Sequence, residues 1–404
     1  MATVASPHPP GAFEITLENL FSFPQGRRVL TCLQCGTCTA TCPYGVGMQY
    51  PPRRIIGMLR TGQLEKVLTS DSLLSCVACY ACTAKCPRGI ELTTVLLPLL
   101  KEQMLLSLPE VPSELQRALE NMLRYGNPMG ESPRKRAAWA KTSSIPIRIL
   151  PEDPRTTDVL WFVECYTSYH PRGQDTARAT AKIFQALGID FAILGNEEKC
   201  AGECVRLSGE PGLHNTLMEY NMQVFRKYKF NSIVTSCPHA YDAFRYSYRT
   251  AGFDYELRLA TTFLAQHLEA LRPMLRGKAG YTVTYHDSCC MGRHNGFYEE
   301  PRTLLQAIPG IKLVEMTHNR VNTICCGGGG GGMWLDTYYK AKGYERLSER
   351  RVKEAVATGA DVLAVACPYE ISRFEDAVKV LGYDKRMIVR DITELLVESM
   401  EGEI

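Results

Sequence analysis

Residues 281–290 read YTVTYHDSCC, a short run of β-branched and aromatic residues that ends at two cysteines. Three other runs have the same form: DVLWFVEC at 158–165, NSIVTSC at 231–237 and DVLAVAC at 361–367. Segments with helical periodicity lie between them, such as DTARATAKIFQALG and EPRTLLQAIPG. Buried strands that alternate with helices are typical of a parallel sheet. The sequence therefore predicts α/β structure from residue 158 onward, with cysteines at the strand ends, where such sheets place their sites.

The α/β region is predicted to be duplicated. Its cysteines recur at nearly constant offsets: Cys289 follows Cys165 by 124 residues, Cys325 follows Cys200 by 125, and Cys367 follows Cys237 by 130. Short words also repeat, since CPHAYDAF at 237–244 matches CPYEISRF at 367–374. A fixed period of this kind indicates two similar halves. We expect the halves to face each other with their thiols at a shared cleft.

Eight of the 17 cysteines form two runs near the N-terminus, CLQCGTCTATCP from residue 32 and CVACYACTAKCP from residue 76. Both are C-x2-C-x2-C-x3-C-P, in which three thiolates hold one 4Fe-4S cubane and the fourth serves the other cluster. A zinc site would favour two C-x2-C pairs separated by a long gap. The predicted ligand sets are Cys32, Cys35, Cys38 with Cys86, and Cys76, Cys79, Cys82 with Cys42. Apolar residues at helical spacing predict two helices between the runs.

Composition narrows the class of protein. The 404 residues are 45% apolar and 22% charged, which permits ordinary cores without cross-links. A net charge of +3 with mixed signs gives no basis for nucleic-acid binding. The short basic run 134–136 is interpreted as a solvated linker. Thiol richness without a secretory signal favours metal binding over disulfides and predicts a cytoplasmic protein.

The domain prediction has four segments: a helical two-cluster domain at 1–105, a helix and linker at 106–157, and two cysteine-rich α/β subdomains at 158–275 and 276–404. The predicted fold class is α+β overall, with a helical ferredoxin-like part followed by the two parallel-sheet subdomains. The N-terminal residues MATVASPHPPGAF are expected to be a flexible tail. The apolar stretches are too short to span a bilayer, so membrane association would require a partner subunit.

At this point a family resemblance becomes clear. The stretch YHDSCCMGRHNGFYEEPRTLLQAIPGIKLVEMTHNRVNTICCGGGGGGMW at 285–334 resembles the second cysteine-rich "CCG" domain of heterodisulfide reductase. Together with the two N-terminal runs, the chain from about 30 to 395 is similar to the fused C/B-type iron-sulfur subunit of the membrane-associated form of that enzyme and to its bacterial relatives. The resemblance implies non-cubane 4Fe-4S clusters that act directly on a disulfide. It also implies that electrons enter at the ferredoxin part.

The resemblance assigns ligands position by position. In the second half Cys289, Cys325, Cys326 and Cys367 match the motif, Glu370 stands where its last cysteine would be, and Cys290 is the candidate for the missing ligand. These residues imply one non-cubane cluster. In the first half Cys165, Cys200 and Cys237 match, but Ala201 and Ala240 replace the other two, and Cys204 is additional. A further cluster in the first half therefore remains an open alternative.

Residues near the second-half cysteines are candidates for chemistry. Cys326 is the expected reactive ligand, and His286, His294 and Arg293 are candidate proton donors, with Asp287 and His239 as further neighbours in sequence. Each of these side chains also has a structural alternative as a hydrogen-bonding residue. Gly327, Gly328 and Gly329 begin a run of six glycines whose backbone N–H groups can approach a cluster or an anion closely.

Two functions follow from the resemblance. In the first, the chain is a disulfide or heterodisulfide oxidoreductase subunit whose substrate is a small disulfide or thiol. In the second, it only relays electrons between a flavoprotein or quinone-linked partner and another oxidoreductase. The expected partners in either case are other redox subunits, of the flavoprotein, cytochrome b or acyl-CoA reductase type.

Overall fold

The computed structural model describes residues 16–108, 110–277 and 280–402, so the predicted N-terminal tail lies outside the described residues. The chain divides into two compact units. The helical unit comprises Met1–Arg117, Gly202–Thr216 and Gly327–Leu347. The sheet unit comprises Ala118–Ala201, Leu217–Cys326 and Ser348–Ile404.

The helical unit is built from short helices around the two N-terminal cysteine runs. The two helices predicted between the runs are confirmed as Pro52–Arg60 and Leu64–Leu68. The first begins with proline, which lacks the N–H that would be unsatisfied there, and buries Ile55, Ile56 and Leu59 on one face. The other α-helices that lie wholly within this unit are Leu17–Ser22, Pro24–Arg27, Thr37–Ala40, Ala81–Ala84, Leu97–Ser107, Glu203–Ser208 and Asp336–Ala341.

The sheet unit contains two parallel sheets, as predicted. The first has strands β1 (Arg148–Ile149), β2 (Thr157–Phe162), β3 (Phe191–Ile193), β4 (Phe230–Thr235) and β5 (Glu256–Leu259), in the order β1-β3-β2-β4-β5. The second has β6 (Thr282–Tyr285), β7 (Lys312–Leu313), β8 (Val362–Val365) and β9 (Ile388–Asp391), in the order β7-β6-β8-β9. All described pairings are parallel. The order of the second sheet repeats β3-β2-β4-β5, which confirms the duplication.

Helices pack against both sheets. Those wholly inside the unit are Ala138–Lys141, Cys165–Tyr169, Pro171–Ala186, Pro238–Asp242, Ala260–Gln266, Leu268–Leu271, Glu299–Ala307, Pro368–Val380 and Ile392–Glu401. Three more, Ser113–Tyr125, Pro211–Phe225 and Leu347–Ala357, run from one unit into the other. One buried cluster includes Trp161 and Phe184 from the first half and Leu304 and Leu395 from the second. The two halves therefore share a core.

The strand ends deliver the cysteines as expected. Cys165 and Cys237 follow the neighbouring strands β2 and β4, and Cys289 and Cys367 follow the neighbouring strands β6 and β8. Because carboxyl ends of parallel strands meet at one edge, each half gathers its thiols there.

Two expectations about residues 106–157 need correction. The segment contributes β1 at the edge of the first sheet, because Arg148 and Ile149 pair with β3. In the basic run 134–136, Arg134 and Lys135 are exposed as expected, but Arg136 is only 2% exposed and forms an ion pair with Glu198. Each of the four predicted domains is one continuous segment of the sequence, and their boundaries stay a prediction. Within the described ranges, no helix has both the length and the apolar character needed to cross a membrane.

Candidate functional site

The first predicted ligand set lines one cavity in the helical unit. Its lining includes Cys32, Cys35, Cys38 and Cys86, with Cys82 at its wall. The loop is shaped by unusual backbone positions, since Gln34 and Gly36 both have positive φ. The Cys32 sulfur accepts hydrogen bonds from the backbone and the side-chain nitrogen of Gln34. Such donors stabilise a thiolate.

The second set lines another cavity, with Cys42, Cys76, Cys79 and Cys82 in its wall. Ala78 and Tyr80 have positive φ at the positions that match Gln34 and Gly36 of the first run. The amide of Ala78 donates to the Cys76 sulfur. Cys79 and Cys82 are buried, whereas Cys35 in the first run is exposed.

Part of the glycine run packs on the second cysteine loop, inside the helical unit. Gly330 has φ +58°, and a β-carbon there would lie 2.8 Å from the Cys76 carbonyl oxygen. The buried ammonium of Lys101 donates to that carbonyl at 2.9 Å and to the carbonyl of Gly330 at 2.8 Å. Close packing therefore requires glycine at 330, because any side chain there would separate the two loops.

The five cysteines of the second half are all buried in the sheet unit. The Cys289 thiol is within hydrogen-bonding reach of Cys290 and Cys325, and the Cys326 thiol is within reach of Cys325. Burial raises the pKa of Cys367, and neighbouring thiols including Cys326 add to that shift. The predicted second-half ligands therefore lie together.

A buried acid–base pair adjoins these thiols. His286, Glu370 and Cys326 present ligand atoms that lie within 4.8 Å of one another. Arg351 Nε donates to His286 Nδ1 at 3.0 Å, so the ring proton is on Nε2, which lies 3.3 Å from a Glu370 oxygen. Burial raises the pKa of Glu370 to about 7, with His286 opposing the shift. Sequence reasoning treated Glu370 only as a missing cysteine and missed its pairing with His286.

The other candidate proton donors are held by neighbours. His294 Nδ1 lies 2.8 Å from Asp242, which comes from the first half of the sheet unit. Arg293 donates to the carbonyls of Val321 and Thr323.

The two remaining neighbours in sequence have different surroundings. Asp287 forms a bidentate ion pair with Arg302. The His239 ring lies edge-on to Tyr369. The His286 side chain lies within hydrogen-bonding reach of the Cys326 sulfur.

The first half has a different arrangement. Cys165 and Cys200 lie within hydrogen-bonding reach of each other, but the Arg136 guanidinium reaches the Cys165 sulfur at 3.5 Å. Arg136 also donates twice to Glu198, at 2.7 and 3.2 Å. The Glu164 carboxylate lies beside the same two thiols and accepts from the amides of Cys165 and Ala201.

These side chains compete with a cluster for the same thiols. A guanidinium and two carboxylates surround Cys165, so this donor set does not match the thiolate surroundings of a 4Fe-4S cluster. Cys237 is also buried in this half, and Cys204 belongs to the helical unit. The two N-terminal cavities and the second-half thiols do fit iron-sulfur ligation. The roles of Glu164 and Glu198 were not predicted from the sequence. The one sequence signal for them is their position just before Cys165 and Cys200.

Comparison with known families agrees with these groupings. The model of a cysteine-rich domain, CCG, matches twice, at residues 159–244 and 283–369. The model of a 4Fe-4S dicluster domain matches residues 31–91. Both matches lie in the sheet unit except for residues 202–216 and 327–347, which belong to the helical unit.

Three relatives illustrate the range of similar proteins. The chain is 34% identical over 75% of its length to the probable iron-sulfur-binding oxidoreductase FadF of Bacillus subtilis, and 31% identical over 72% to the EtfAB:quinone oxidoreductase of Syntrophomonas wolfei. It spans 43% and 42% of these two proteins. It is 31% identical over 69% of its length to one subunit of the dihydromethanophenazine:CoB–CoM heterodisulfide reductase of Methanosarcina barkeri, and it spans 66% of that subunit.

Proposed function

We propose a function for this chain, which belongs to the iron-sulfur oxidoreductases that combine a 4Fe-4S dicluster domain with two cysteine-rich CCG domains. Electrons pass from its N-terminal clusters to a third cluster in the second CCG half. There they reduce a disulfide. The observation that carries this proposal is the group of five buried cysteines joined by His286 and Glu370. The four-thiol cavities of the helical unit support two cubanes as the route by which electrons enter.

An iron-sulfur cluster supplies one-electron transfer and, at an open iron, affinity for sulfur. The chain's own residues supply the rest. Cys289, Cys325, Cys326 and Cys367 are the proposed ligands, and Cys290 is the proposed fifth. Glu370 takes the place of the motif's last cysteine but is engaged with His286, so we assign it to proton handling and not to ligation.

Disulfide reduction consumes two electrons and two protons and yields two thiols. The electrons arrive singly through the N-terminal clusters from a reduced partner. His286 Nε2 carries a proton next to the Cys326 sulfur, and a Glu370 oxygen lies 3.3 Å from that nitrogen. Arg351 fixes the tautomer from the opposite side. A pure relay has no need of a buried acid–base pair, which is why this pair favours catalysis.

The test uses anaerobically purified, iron-loaded chain and a panel of small disulfides. Reduced viologen serves as the electron donor, and turnover is followed by its oxidation. We expect His286→Gln to lower turnover at least 100-fold while the iron content stays unchanged, because general acid catalysis contributes about 10²–10⁴-fold. A neighbouring control, His318→Gln, alters an exposed histidine that pairs with Glu354 and should leave turnover unchanged.

The second candidate is a relay without disulfide chemistry. It is favoured by the burial of the second-half thiols, of which Cys326 is the most exposed at only 9%. One of the similar proteins is named an EtfAB:quinone oxidoreductase, and by analogy the partners of this chain would then be a flavoprotein and a quinone-linked subunit. If every disulfide in the panel is inert while electrons pass between such partners at full rate in His286→Gln, the relay is correct.

A further inference from the structure

Positive charge is concentrated around the first cavity of the helical unit. From Arg27 to Glu91 the sequence contains eight lysines and arginines but only three acidic residues. The second CCG half and the chain as a whole have a balanced composition, with a net charge of +3 over 404 residues. The excess in this segment is therefore local.

Four arginines surround the cavity and form what we call the arginine rim. Arg53 and Arg88 line the cavity together with its cysteines. Arg60 Nη1 donates to the Cys32 carbonyl at 2.9 Å, and Arg28 Nη1 donates to the Gly89 carbonyl at 3.0 Å. Each rim side chain is thus anchored to a residue of the two cysteine loops or to the cavity wall.

The charges of the rim are largely unneutralised. Arg28 has Glu91 at 3.5 Å. Among the described residues, no carboxylate lies within 4.0 Å of Arg53, Arg60 or Arg88. All four side chains are exposed. A group of like charges in one place raises the local concentration of an oppositely charged partner and accelerates its association.

The same face carries exposed apolar groups. Leu33 is 65% exposed and lines the cavity, and Leu30 is 46% exposed. Cys35 is exposed, whereas Cys79 and Cys82 at the second cavity are buried. The proposed site of the first cluster therefore has an exposed cysteine beside exposed apolar side chains and the arginine rim. Apolar and charged groups occur together in this way at protein-docking surfaces.

We propose that this face docks a small electron-carrier protein that has an acidic surface around its own redox centre, of the flavodoxin or ferredoxin class. The carrier loses one electron and the cluster held by Cys32, Cys35, Cys38 and Cys86 gains it, with no bond made or broken. The inference rests on the proposed function and adds the chemistry of the partner. The contact is expected to be small, because weak redox encounters bury less than about 1,200 Å² and must dissociate quickly.

The test is anaerobic stopped-flow reduction of the iron-loaded chain by a photoreduced acidic flavodoxin at low ionic strength. The rim variant is Arg53→Glu with Arg88→Glu. The matched control is Lys379→Glu with Lys385→Glu, two exposed lysines of the sheet unit, so both variants have the same net charge. We expect the second-order rate constant to fall about 10- to 100-fold in the rim variant and less than about twofold in the control, since steering acts through local charge.

Two further measurements distinguish a failure of this proposal from a failure of the proposed function. Photoreduced deazaflavin, a small reductant, should give wild type and rim variant the same number of reduced-cluster spins. Suppose that the spin counts agree, but that the rate constant with flavodoxin is independent of salt and equal in wild type and rim variant. The docking surface is then refuted, while the proposed clusters are not. A basic cytochrome that exchanges electrons faster than the flavodoxin also refutes it. Absence of any reducible cluster in the wild-type chain would overturn both proposals.

Discussion

The ion pair between Arg136 and Glu198 gives the sharpest prediction about the first CCG half. Both side chains are almost completely buried, and Glu198 also accepts from the amides of Val163 and Glu164. Burial works against the charge of Arg136, but Cys165 and Glu198 outweigh it and raise the pKa of the guanidinium. Arg136→Leu leaves the Glu198 carboxylate buried without its cation.

Removing one partner of a buried pair costs about 3–5 kcal/mol. The sheet unit has roughly 250 residues, for which 1 kcal/mol corresponds to about 2–4 °C in melting temperature. The variant should therefore melt roughly 6–20 °C below wild type. Adding Glu198→Gln should recover much of the loss, because the second change removes the stranded charge.

The assay is anoxic thermal melting followed by circular dichroism, on iron-loaded protein. The control is Lys135→Leu, one residue away, whose exposed ion pair with Glu131 contributes only about 0–1 kcal/mol. A shift of less than about 2 °C for Arg136→Leu, or equal shifts for both variants, would refute the view that this pair holds the first half together. A loss of four irons with Arg136→Leu would also contradict the assignment of these residues as a substitute for a cluster.

Three further predictions concern the helical unit. Lys101→Met removes a buried ammonium beside the second cavity and should lower the midpoint potential of its cluster, measured by redox titration with paramagnetic resonance. Gly332→Ala should destabilise the fold by about 1–3 kcal/mol because its β-carbon would overlap the Gly327 carbonyl oxygen, whereas Gly212→Ala meets open space and should not, as judged by melting temperature. Cys86→Ser should remove one reducible cluster and leave the other intact, as counted by spin quantitation.

Local patterns in the sequence were sufficient for much of this fold. β2, β4, β6 and β8 are short apolar runs with cysteine endings, so their positions follow from composition and length. The duplication could be recognised from the cysteines alone, because their positions recur at nearly constant offsets. The spacing of the N-terminal runs likewise grouped the cysteines that line each cavity.

What escaped prediction depends on contacts between distant parts of the chain. The burial of Arg136 requires Glu198, 62 residues away, and a basic run looks solvated without it. The packing of Gly330 on the Cys76 loop joins residues separated by more than 250 positions. The His286 and Glu370 pair likewise forms only when β6 and β8 are neighbours. Charge pairs and close backbone approaches of this kind have no periodic signal in the sequence.

We propose that the second CCG half holds a cluster and that the first half does not. Iron content of anaerobically purified chain tests it most directly, with Cys326→Ser and Cys165→Ser as a matched pair of variants. At four irons per cluster, wild type and Cys165→Ser should each contain about 12 irons per chain, and Cys326→Ser should contain about eight. A Cys326→Ser protein that keeps about 12 irons, or a Cys165→Ser protein that falls to about eight, would contradict the account.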